Sequence, residues 1–165
     1  MKPERLHFKD DGVIPNNALP LLIYSAVFEA GEKDLARRFE TLFSEHRWRN
    51  SWRNGVYPYH HYHSISHEVL GVYGGQATLQ MGGEKGQAIR VQAGDVLVIP
   101  AGVGHKKLEA SSDFGVVGAY PEGKDWDLLK GEKGDRPQAD KNIAAVPLPS
   151  QDPVTGEKEM PEWHT

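Results

Sequence analysis

Two hydrophobic periodicities divide this chain. Between residues 32 and 48, Leu35, Phe39, Leu42 and Phe43 recur every three to four positions, with His46 at the edge of the stripe. Glu32, Lys33, Arg37, Arg38, Glu40 and Glu45 fall mostly elsewhere. That spacing predicts one amphipathic helix over 32–48, with His46 a satisfied polar group rather than a ligand. From Gly55 onward the period changes to two. Strands are predicted at 55–63, Glu68–Tyr73, Ala77–Met81, Ala88–Val91, Val96–Ile99, His105–Glu109 and Phe114–Tyr120, separated by glycine-rich turns. Short strands at regular spacing predict an all-β sandwich or closed barrel.

The flanks carry weaker patterns. Residues 1–17 are polar, and Ile14-Pro15-Asn16-Asn17 reads as a loop. The run Leu19–Phe28 predicts a strand at an edge of the barrel or of a neighbouring subunit's barrel. WRNSWRNG at 48–55 repeats Trp-Arg-Asn, and Trp48 and Trp52 are expected to pack on the barrel exterior or its mouth. Residues 122–135 are charged, with Trp126, Leu128 and Leu129 as anchors. From Arg136 on, five of the eleven prolines fall in thirty residues, which predicts an extended arm. Ile143, Val146, Leu148 and Trp163 are its expected docking points. No internal repeat stands out, and 165 residues suit a single domain. Its expected parts are an N-terminal extension (1–54), a barrel core (55–120) and a C-terminal arm (121–165).

Composition narrows the function. The net charge is −4 with no basic block, so neither a nucleic-acid partner nor attraction to an anionic membrane is expected. The start, MKPERLHFKDDG, lacks an apolar signal segment, and the longest apolar run, at 18–28, contains Pro20 and Ser25. It is shorter than the ~20 residues of a membrane helix, so a cytoplasmic protein is expected. There are no cysteines, so any metal must be held by nitrogen and oxygen.

Four of the eight histidines lie within GVYPYHHYHSISHEVLGVYGG at 55–75. His61 and His63, two apart on a strand, point to one face about 7 Å apart. Glu68 opens the next strand and offers an oxygen. His67, four after His63, is its rival for that place. His60 and His67 point outward by alternation. His105 follows a turn built by Pro100, Gly102 and Gly104. Three imidazoles and a carboxylate suit one divalent transition metal: Fe, Mn, Ni, Cu or Zn. On a six-coordinate ion they leave two positions for water, substrate or dioxygen. The glycines of GVYGG and AGVGH make no phosphate loop, for they lack the lysine and following helix.

These residues resemble the cupin superfamily. Its first motif is glycine, five residues, His-x-His, three or four residues, glutamate, six residues, glycine. The chain has Gly55, His61-Tyr62-His63, Glu68 and Gly75 at those intervals. The second motif is glycine, five residues, Pro-x-Gly, two residues, histidine, three residues, asparagine. Gly94, Pro100-Ala101-Gly102 and His105 match, while Glu109 replaces the asparagine. The eighteen residues between Gly75 and Gly94 fit the short spacing of small bacterial cupins. The resemblance covers roughly residues 55–120 and favours Glu68 over His67. It implies a double-stranded β-helix (jelly-roll) barrel preceded by a strand and a helix. It also implies metal ligands His61, His63, Glu68 and His105, and a homodimer formed through added strands.

Around those ligands, Tyr57 and Tyr59 share the face of His61. Tyr59 is the candidate proton donor, and Lys107, which shares the face of His105 with Glu109, is the second candidate catalytic residue. A lysine beside a metal suits an anionic substrate. The expected function is a mononuclear metal-dependent enzyme acting on a small molecule, as an oxygenase or an isomerase or epimerase. The alternative is a non-catalytic module that binds a small ligand or senses metal.

Overall fold

The structure, a computed structural model, describes residues 1–164. Two antiparallel sheets face each other. The large sheet is built from β1 (Glu4–Phe8), β2 (Asn17–Tyr24), β3 (Trp48–Asn54), β4 (Glu68–Gly74), β7 (Val96–Ile99) and β9 (Gly115–Pro121), in the order β1-β2-β7-β4-β9-β3. The small sheet has the order β6-β5-β8, from β5 (Gln76–Met81), β6 (Gln87–Gln92) and β8 (His105–Ala110). Its inward side chains Ala77, Leu79, Met81, Ile89 and Val91 meet Leu21, Ile23, Leu70 and Val72 of the large sheet in one core. The architecture is the predicted all-β jelly-roll barrel.

The large sheet is buried on both faces, which explains why β4, β7 and β9 read as near-continuous apolar runs. Helix α1 (Leu35–Glu45) lays Ala36, Phe39 and Phe43 over the outer face, against Val69, Val98 and Val117. The helix is shorter than the 32–48 of its periodicity, because residues 46 and 47 turn into β3 and Arg47 takes positive φ. The far end of the chain completes this outer layer. Trp163 donates its indole N–H to the Pro20 carbonyl at 2.9 Å, and Trp48 does the same to Gln151 at 2.9 Å. No helix among the described residues is long and apolar enough to cross a membrane.

Several expectations for the flanks need correction. Residues 4–8, a polar stretch for which the sequence predicts no element, pair with β2. The stretch around Trp48 and Trp52 is a strand at the end of the sheet, paired with β9. Its solvent-facing Arg, Asn and Ser side chains erase the apolar alternation that would reveal it. Strand β2 stands between β1 and β7, so its pairing is within the chain and leaves it no free edge. Residues 55–63 are not a regular strand: only His61 and Tyr62 make isolated bridges, to His105 and Leu129. The proline-rich arm contains a helix, α2 (Gln138–Ala145), which packs Ala139 and Ile143 against Ile14 and Tyr62. Of the arm's expected anchors, Trp163 is buried and Leu148 is exposed.

Candidate metal centre

His63, Glu68 and His105 converge at the inner end of a cavity between the sheets. Their ligand atoms lie within 4.8 Å of one another, and all three residues are buried. Glu68 Oε1 is 3.3 Å from His63 Nε2 and 3.3 Å from His105 Nε2. His61 lines the same cavity but stands outside this set of three, its ring centroid 4.0 Å from that of His105.

Backbone contacts set each position. His61 and His105 exchange backbone hydrogen bonds of 3.2 and 2.9 Å, tying the irregular 55–63 segment to β8. The turn before His105 is fixed by Gly102 N–H donating to the His63 carbonyl at 2.7 Å. Gly102 has φ +88, and a Cβ there would stand 2.6 Å from the Asn16 carbonyl oxygen, so a side chain at this place would strain the turn that links the two motifs. Asp127 clamps the other side. Its carboxylate accepts from both the backbone N–H and the hydroxyl of Ser64, and its carbonyl accepts from His63.

The ring orientations follow from these carbonyls. His61 Nδ1 donates to the Tyr59 carbonyl at 3.0 Å, His63 Nδ1 to that of Asp127, and His105 Nδ1 to that of Val103 at 3.2 Å. A carbonyl can only accept, so each Nδ1 carries a proton, and in the neutral ring Nε2 keeps its lone pair. Glu68 Oε2 accepts from the Tyr120 hydroxyl at 3.0 Å, and that oxygen accepts from the Trp52 indole at 2.8 Å. Glu68 Oε1 is buried and accepts no hydrogen bond of proper geometry. Lone pairs from imidazoles and a free carboxylate oxygen fit a first-row divalent cation, and carbonyls that hold the far ring nitrogen are the usual supports of such ligands.

Electrostatics agree. Burial alone would raise Glu68, but the imidazoles of His63 and His105 hold its carboxyl below the usual carboxylate range. Burial works against protonation of His63, yet the charge of Glu68 and the Asp127 carbonyl push it up. Burial, and then the neighbouring His105, drive His61 down to about 3. Burial and the charge of Glu68 push the Tyr120 phenol up, so it stays protonated and donates.

The cavity holds about 550 Å³ and is walled by Trp52, Tyr57, Tyr120 and Trp126, with Lys107 on one side. Tyr59 is not among the lining residues; its ring stacks on Tyr57 at 5.0 Å with Lys130 over it. The hydroxyl nearest the cluster belongs instead to Tyr120. Glu109 does not share the wall with Lys107, because β8 slips register against β5 between them. His60 reaches outward to Glu84 at 2.8 Å. His67 faces away from the cavity and stacks on Trp163 at 4.8 Å, while His46 is satisfied by the Pro153 carbonyl. Tyr120, Trp126 and Asp127 gave no local signal: each stands more than fifty residues beyond His63 and Glu68.

No family model matches the chain. The protein YjlB of Bacillus subtilis (strain 168), itself uncharacterized, is 49% identical over 153 residues, covering 92% of this chain and 90% of YjlB. Among solved structures, acireductone dioxygenase from Bacillus anthracis, with a cadmium ion in its active centre, matches 61% of this chain and 76% of its own at TM-score 0.42 and 12% identity. Procruciferin, an 11S globulin from Brassica napus, matches at TM-score 0.40 and 22% identity; 48% of this chain is covered, which spans about a fifth (21%) of that protein. A Bacillus subtilis oxalate decarboxylase variant matches at TM-score 0.40 and 19% identity, over 71% of this chain and 29% of its own. With 49% identity to YjlB over nearly the full length of both and a jelly-roll barrel of cupin fold, the chain belongs to the YjlB family.

Proposed function

We propose that this chain is a mononuclear metal-dependent enzyme acting on a small molecule, of the oxygenase or isomerase/epimerase type. His63, Glu68 and His105, joined by His61, are the ligands of one divalent transition metal: Fe, Mn, Ni, Cu or Zn. The observation that carries this reading is the fixing of the His63 and His105 Nδ1 atoms by backbone carbonyls, which turns both Nε2 atoms to within 3.3 Å of an unpartnered Glu68 oxygen. Such an ion supplies Lewis acidity or, for iron, dioxygen activation.

The chain's own residues do the rest. Tyr120 occupies Glu68 Oε2, so that Glu68 offers Oε1 alone. Trp52 in turn holds the Tyr120 oxygen. Trp126 stacks on Tyr120 at 5.9 Å, and both partners of the Tyr120–Glu68 hydrogen bond are buried. Protons compete with a cation for the His63 imidazole, whose hold on a proton Glu68 and the Asp127 carbonyl strengthen, so metal affinity falls as pH drops through that raised range. The proposal includes a homodimer; β1 and β3, at the ends of the large sheet, are the edges on offer.

Purification without an affinity tag, followed by elemental analysis before and after refilling, tests the metal. About one equivalent is expected, and less than about a tenth after refilling overturns the reading. Dioxygen uptake and product analysis with small phenols, thiols and keto acids then test turnover. Ligand binding with no turnover would favour a non-catalytic binding or metal-sensing module.

A further inference from the structure

We infer that the cavity takes a small flat organic acid, with its carboxylate on Lys107 and its body against Trp126. The inference deepens the function proposed above and rests on it for what lies at the inner end. Charge is the first ground. The cavity is lined by one carboxylate, Glu68, and two cations, Arg53 and Lys107. Arg53 is held by Glu40 through two hydrogen bonds of 2.8 Å. Glu68 is turned to His63, His105 and Tyr120. Among the described residues, no carboxylate pairs with Lys107. A half-buried ammonium without an internal partner is a place for an anion from outside.

The backbone is built to keep it so. Lys107 sits opposite Leu79, whose side chain belongs to the core, and Glu109 sits opposite Thr78. Two residues of β8 separate them where β5 advances by one, so Leu108 is the extra residue of a bulge and is 47% exposed. Strict alternation would place Glu109 on the wall beside Lys107, where the two would neutralise each other. The bulge reverses the parity after Lys107, and Glu109 lines a separate surface hollow with Arg90.

Shape is the second ground. Trp126 is stacked at 18° on Tyr120 and meets His63 edge-on at 5.3 Å, yet stays 40% exposed in the cavity wall. Tyr57, opposite in sequence but lining the same space, is also exposed. Half-open aromatic faces suit a flat molecule, and about 550 Å³ leaves ample room for one ring with its substituents.

The test titrates benzoate, cinnamate and fumarate against benzamide, cinnamamide and fumaramide, which keep the shape and lose the charge. Tryptophan fluorescence and calorimetry report binding to wild type and to Lys107→Met, each with and without refilled metal of measured stoichiometry. At least one acid is expected to bind wild type about tenfold tighter than its amide, the size of a charge-assisted hydrogen bond. Lys107→Met should erase that preference, leaving amide binding and metal content unchanged. Equal binding of every acid and amide, binding of none of the acids, or a preference that survives Lys107→Met overturns the inference. A protein that takes up no metal but keeps a Lys107-dependent preference for acids would overturn the proposed function and not this one.

Discussion

The inner end of the barrel and the cleft beneath the C-terminal arm each bury a histidine from the same short segment. His63 and His67 are four residues apart, and their backbone partners give them opposite protons. The Nδ1 of His63 meets a carbonyl and must donate, so in the neutral ring Nε2 is the lone pair, and it stands beside Glu68. The Nδ1 of His67 meets the Ala101 N–H at 2.9 Å and must accept, so its Nε2 carries the proton. One ring is ready to bind a cation, and the other is a hydrogen-bonding strut under Trp163. Burial alone would not separate them; the partner of Nδ1 does.

The most severe way to break this contrast is to exchange the effects of substitution. Replacing His63, His105 or Glu68 by Ala should collapse metal stoichiometry, a loss beyond the ten- to hundredfold typical when a group that only supports a ligand is removed. His67→Gln should leave it near wild type, as elemental analysis of the purified variants will show. Loss of metal from His67→Gln with retention in His63→Ala would reverse the assignment.

Next in size is the cover over the outer histidine. Trp163→Ala removes a buried indole that packs on His67 and donates to Pro20, and should cost about 3–5 kcal/mol in urea unfolding. The folded fraction should still take up metal.

A pH series sharpens the comparison further. Burial pushes His67 down to about 4. An imidazole lowered in the folded protein binds fewer protons there than in the unfolded chain. Its contribution is therefore complete above about pH 6.5 and is lost as pH falls toward 4, by at most about 3 kcal/mol. In metal-free protein, wild type should lose more stability than His67→Gln across that window, since Gln can still accept from Ala101. Parallel curves would remove His67 as the source.

The smallest effect concerns Tyr120. Tyr120→Phe frees Glu68 Oε2 and leaves the Trp52 N–H without its acceptor. Metal affinity should fall about ten- to hundredfold with little change in fold. Unchanged affinity in a competition titration would reduce Tyr120 to a packing role.

The fold was legible where one face of an element is buried and the other is not. The alternation of Ala77–Met81 and the stripe of Leu35, Phe39 and Phe43 each predict their element to within a few residues. Legibility failed at β3, whose Trp-Arg-Asn repeat is mostly solvent-facing, and at α2, hidden among prolines. It failed again at Glu109, because a single extra residue in β8 inverts every later side chain. Parity points to Tyr59 because it assumes a regular strand through 55–63, and that segment has only isolated bridges.

By itself the sequence determined the donor chemistry and its spacing. A chain without cysteine has only nitrogen and oxygen to offer, and motif intervals around His63, Glu68 and His105 are local quantities written in residue counts. Tertiary structure alone decided which nitrogen of the His63 ring is free, since that depends on the Asp127 carbonyl, 64 residues away in the chain. It also decided that Tyr120 caps Glu68 across 52 residues and that Lys107 faces the cavity without Glu109. Those are contacts between strands, set by register and by a bulge, and no period within a strand encodes them.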